Sequence, residues 1–173
     1  MNFVRVLCLA ALVVVAVTLQ AAVLRYVAVD GVVPDLALLL VIAAALVRGP
    51  EVAATLGFVA GLVLDLAPPA DHTAGRWALA LVLAGYLAAR VRADARNSPI
   101  AALLTVAACS FVANSAFALS GVILGDGHTP VAQMFPVIAI GVVWDVLAAA
   151  LLLPLLSALL RRLRPPQALS QGV

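Results

Sequence analysis

Asp35, Asp65 and Asp145 stand at or inside long apolar runs. A carboxylate in such a setting is costly to desolvate, so each demands either a function or a partner that offsets its burial. Asp65 follows Gly57 and Gly61 at four-residue spacing. That spacing stacks two glycines and the acid on one helical face, where a neighbouring backbone can approach closely and donate to the carboxylate. Gly141 and Asp145 repeat the arrangement later in the chain. Asp35 follows Pro34 at the head of a leucine-rich run, which suits an acid capping a helix N-terminus. Asn114 is the most polar member of another apolar stretch, where it shares a face with Ser110 and Ala118. This reads as an interhelical hydrogen-bonding stripe, each such contact contributing about 0.6 to 2 kcal/mol.

Residues for covalent or metal chemistry are scarce. The chain has no HExxH, CxxC, GxSxG or GxxxxGK[ST] pattern, so zinc, thiol, serine-elbow and P-loop chemistry lack their side chains. Asp30-Gly31 and Asp65 sketch part of a CDP-alcohol phosphotransferase signature, but Pro69 stands where its next metal-binding acid belongs. Cys8 and Cys109 lie in apolar runs and read as small hydrophobes; His72 and His128 fall in loops. We therefore expect no enzyme, no cofactor and no metal site.

The elements that position these residues follow from composition. Of 173 residues 66% are hydrophobic and 10% charged, and mean hydropathy is +1.21. A soluble domain is nearer half apolar and a quarter charged. Too little polar side chain is present to cover a water-facing surface, which excludes a soluble enzyme, a disulfide scaffold and a disordered regulator. A net charge of +2 gives no reason to invoke nucleic acid. The expected fold is all-α, a polytopic bundle of six transmembrane helices over residues 1–164 with a short cytoplasmic tail at 165–173. The helices are expected at about 6–24, 34–48, 52–67, 77–89, 100–124 and 131–160. One helix through Arg48-Gly49-Pro50-Glu51 would place charges and a proline at mid-membrane, so a tight hairpin is expected there, with little tilt and with Arg48 snorkelling. The polar stretch from Arg90 to Pro99 is expected to be a loop, and Pro154 to kink the last helix.

All ten basic residues are arginines. Sorted by alternate loops, eight (Arg5, Arg48, Arg90, Arg92, Arg96, Arg161, Arg162, Arg164) fall on one side and two (Arg25, Arg76) on the other. Positive charge concentrates on the cytoplasmic side, which puts both termini inside. The basic tail can also lie against anionic lipid.

The order of several motifs resembles one family. Pro34-Asp35-Leu36 opens a leucine-rich helix, Arg48-Gly49-Pro50-Glu51 makes a short turn, and Gly57 to Leu66 carries a Gly-Leu-x-x-Asp-Leu element at Gly61 to Leu66. Gly85-Tyr86-Leu87 follows. This order, over roughly residues 30–160, resembles the rod shape-determining protein MreD family. The resemblance implies a multi-pass protein of the bacterial plasma membrane, part of the cell elongation complex, acting on cell shape and peptidoglycan synthesis without catalysis. It implies an MreC-like bitopic partner, with wall synthases and the MreB system nearby, and a bundle similar to the substrate-binding subunits of energy-coupling-factor transporters. A homodimer is left open. On this reading Gly57, Gly61 and Asp65, with Gly141 and Asp145, serve helix packing or form a notch for a partner helix. The rival reading is a vitamin- or metal-binding transport subunit, with Asp71, His72, Trp77 and Asn114 lining a solute pocket.

Overall fold

Each long apolar run satisfies its backbone groups internally, as it must wherever water is excluded, and the result is helical throughout. The computed structural model describes residues 3–68, 72–125 and 131–163. Among these residues there are seven α-helices and no strand. In order they are α1 (Phe3–Ala22), α2 (Leu36–Arg48), α3 (Pro50–Leu66), α4 (Arg76–Arg90), α5 (Arg92–Asn97), α6 (Pro99–Leu124) and α7 (Val131–Arg162). A 3-10 turn at Leu24–Val27 follows α1. By length and apolar composition three helices can cross a membrane: Phe3–Ala22, Pro99–Leu124 and Met134–Arg162. His128, Asp71 and Arg164 lie outside the described residues.

α2 is the centre of the bundle. Its run Leu-Ala-Leu-Leu-Leu-Val-Ile-Ala-Ala-Ala-Leu-Val has no polar side, and a helix apolar all round is stable only when covered all round. Every residue from Ala37 to Val47 is buried, and α1, α3, α4, α5, α6 and α7 all pack on it. Its 13 residues span about 20 Å at about 1.5 Å per residue, short of the about 30 Å of a hydrocarbon core. α7 is one helix of 32 residues that runs on through both Pro136 and Pro154.

The hairpin between α2 and α3 turns on Gly49 alone, whose φ of 99° suits glycine and few other residues. Pro50 then occupies the first turn of α3, where its missing N–H has no cost. One local expectation needs correcting. The stretch from Arg90 to Pro99 is not all loop, because Arg92–Asn97 forms α5. Charge alone argued for a loop; the buried Ala95 gives this short helix an apolar contact, and Arg92 is held by hydrogen bonds. Arg92 Nε donates to Leu46 O at 2.8 Å and its Nη2 to Val47 O at 3.0 Å, closing two carbonyls at the C-terminus of α2. At the same end Arg48 Nη1 donates to Leu163 O at 3.0 Å and ties the end of α2 to the end of α7.

Candidate functional site

The first acidic centre arises where α3 meets α4. Residue 75, the N-cap of α4, is a glycine in the left-handed region (φ 100°), so the helix starts without a side chain able to cap it. Asp65 of α3 supplies the cap from across the interface. Its Oδ2 accepts from the backbone N–H of Gly75 at 2.8 Å and of Ala78 at 3.2 Å, and its Oδ1 from Trp77 at 3.0 Å. The positive end of α4 and the carboxylate are mutually favourable, and three donors that the helix cannot satisfy internally are satisfied.

This reach requires the two backbones to be nearly in contact, and the glycines permit it. A Cβ on Gly57 would lie 2.6 Å from the Leu81 carbonyl oxygen, and one on Gly61 would overlap the backbone of Trp77 and Ala78. Gly85 of α4 repays the contact, since its Cβ would come 3.1 Å from the Ala53 carbonyl oxygen of α3. A partner-helix notch on Gly57, Gly61 and Asp65 is therefore already filled, by α4 of the same chain.

Around the cap lies an aromatic cluster that joins α4 to α6. Trp77 stacks on Phe117 with centroids 4.4 Å apart, and His72 meets the same ring edge-on at 5.1 Å. The His72 Nδ1 is 3.7 Å from Asp65 Oδ1. Arg76 is buried at 7% exposure, its guanidinium 4.0 Å from the Phe117 ring centre. It donates to Phe117 O at 2.8 Å and to Ser120 Oγ at 3.3 Å. Gly121 leaves room for it, because a Cβ there would overlap the guanidinium.

The second centre lies where α2 begins, inside the bundle. Asp35 caps its own helix by accepting from Leu38 N at 2.9 Å, and Asp145 of α7 accepts the Asp35 N–H at 2.7 Å. Ser110 donates its hydroxyl to the other oxygen of Asp145, and Asn114 Nδ2 donates to Ser110 O at 2.9 Å and Ser110 Oγ at 3.2 Å. Gln20 of α1 accepts from Ala37 N at 3.4 Å. Thus α1, α2, α6 and α7 meet at one polar junction, and Asp145 does for α2 what Asp65 does for α4. Gly141 stands one turn from Asp145 in a looser contact, its nearest neighbour to a Cβ being Asn114 Nδ2 at 3.4 Å.

The structure brings Asp35, Asn114, Gly141 and Asp145 together, and separately Gly57, Gly61 and Asp65; Asp65 and Asp145 share no hydrogen-bond partner. His72 and Trp77 of the rival pocket meet on Phe117, while Asn114 belongs to the α2 junction. Gln20, Arg76 and Arg92 escaped the sequence reading. For Arg92 and Arg76 the available signal is an arginine close to a helix end, a position that marks topology equally well.

Both glycine–aspartate elements thus fall within one fold, and the family model for rod shape-determining protein MreD matches residues 1–163 of the 173. The chain belongs to the MreD family. No curated protein and no solved structure matches it. Membership in the MreD family makes this a membrane protein of the rod shape-determining system. The Gly-Leu-x-x-Asp-Leu element that carried the resemblance is, in this MreD-family chain, the α3 side of the α3–α4 clasp.

Proposed function

We propose that the chain is a non-enzymatic component of the bacterial cell elongation complex, binding an MreC-like bitopic protein and so coupling wall synthases and the MreB system to the plasma membrane. The family match carries this reading. The geometry supports it: the oxygens of Asp65 and Asp145 are engaged by backbone amides and a hydroxyl, as in a scaffold whose acids hold helix ends.

On this reading Gly57, Gly61, Asp65, Gly141 and Asp145 act through packing. They fix the shape of a bundle whose outer faces meet the partner. The chain crosses the membrane six times with both termini inside, α2, α3 and α4 making the shorter crossings. The arginines support that orientation: Arg48, Arg92, Arg161 and Arg162 gather where α2, α5 and α7 end or begin, at the opposite end of α4 from Arg76.

Coexpression with the MreC-like protein of the same cell tests the proposal. The two should copurify, and depletion of this chain should turn rods into spheres. Rods that keep their width on depletion, with the chain purifying alone, refute it. A phosphatase reporter after Arg96 should be inactive; activity there reverses the orientation.

A further inference from the structure

The basic end of the bundle holds a cavity of about 650 Å³ between α2, α5, α6 and α7. Small-molecule sites fall in the range of about 300 to 1,000 Å³. Its walls are of two kinds. The exposed Arg96 and Arg161 line it with Ser157, itself 6% exposed, and the buried Leu46 and Leu153 with Leu103 make an apolar floor. No acidic residue lines it, and among the described residues neither Arg96 nor Arg161 pairs with a carboxylate. Pro154 and Ala150 also line it, and Pro154 has no N–H to offer the Ala150 carbonyl one turn before it.

We propose that this cavity binds an anionic phospholipid, with the phosphate held by Arg96 and Arg161 and the first part of an acyl chain on the leucine floor. Charge complementarity selects the anion: two arginines line the cavity with no acid among the lining residues, and the N-terminus of α6 at Ser98 and Pro99, also in the wall, adds partial positive charge. The floor selects a lipid over a free phosphate ion, which would gain nothing from Leu46, Leu103 or Leu153. The flanks agree, because α6 and α7 are membrane-length and expose Ile100, Leu104, Leu151 and Leu155, each next to a lining residue in the chain or one turn from it, as a site reached by an acyl chain requires. The site does not depend on any protein partner.

The test is native mass spectrometry of the full chain released from nanodiscs of mixed phosphatidylglycerol and phosphatidylcholine. The wild type should retain one phosphatidylglycerol in preference to phosphatidylcholine. Each arginine at an anionic surface is worth about a fivefold preference, so R96Q/R161Q should lower the selectivity by about thirtyfold. Ala150→Trp, which fills the cavity and leaves both arginines, should lose the bound lipid too and guards against a misfolded double variant. Unchanged retention in Ala150→Trp overturns the proposal, as does release of the lipid by millimolar inorganic phosphate alone. A photo-crosslinker at position 150 should add a lipid mass; a polypeptide adduct there overturns the lipid reading.

Discussion

Asp65→Ala removes the acceptor of three backbone amides at the start of α4 and offers nothing in return, since Gly75 has no side chain with which to cap. The three losses are unequal. Gly75 is exposed and its N–H can turn to solvent; Trp77 is half-buried; Ala78 is buried at 3%. An unsatisfied buried donor costs about 1 to 3 kcal/mol, so the full value for Ala78, about 1 kcal/mol for Trp77 and little for Gly75 give about 2 to 4 kcal/mol. Asp65→Asn keeps one acceptor oxygen but turns an N–H toward donors, and should cost about half as much. Reversible unfolding in mixed micelles, followed by far-UV circular dichroism, measures both, with Asp94→Ala on exposed α5 as a control expected within about 0.5 kcal/mol of wild type. If Asp65→Ala proves no more damaging than Asp94→Ala, or Asn no better than Ala, the cross-helix cap does not hold α4.

The two glycine–aspartate pairs should respond with opposite sign to the same change. Gly61→Ala overlaps the first turn of α4 and should destabilise by about 1 to 3 kcal/mol, while Gly141→Ala meets only ordinary contacts and should gain up to about 1 kcal/mol of helix propensity in the same unfolding assay. Asp145→Ala strands the Asp35 N–H and the Ser110 hydroxyl and should cost about 2 to 4 kcal/mol. A double-mutant cycle with Ser110→Ala should show coupling above about 0.5 kcal/mol; additivity would separate the two residues. Arg92→Ala uncovers the Leu46 and Val47 carbonyls and should cost about 1 to 3 kcal/mol, with Arg92→Lys recovering less than half because an ammonium lacks the planar fork that reaches two acceptors. Hydrogen exchange at the C-terminus of α2 reads this directly, and unaltered protection there would contradict it.

Apolar run lengths, the breaking residues between them and the scarcity of charge are local quantities, and from them the sequence alone determines an all-helical membrane protein with a turn at Gly49. The four-residue spacing from Gly57 through Gly61 to Asp65 is equally local, because the helical repeat puts those positions on one face whatever lies opposite. What lies opposite is decided elsewhere. Nothing near Asp65 in the chain specifies that its acceptors meet α4, and the matching gap is only hinted at by Gly75, a helix start with no cap of its own. The same holds for Asp145, which waits on the head of a helix more than one hundred residues earlier, and for Arg92, whose partners end α2. The run of α2, with no polar face, shows that it must be covered all round but not that protein rather than lipid covers it, nor which helices do so. Helix ends leave amides and carbonyls that some other segment must satisfy, and which segment does so depends on the packing of the whole bundle. Tertiary structure therefore makes Asp65 and Asp145, which the sequence offers for packing or docking, fasteners between helices, while Asp35 caps its own helix as its place after Pro34 suggests.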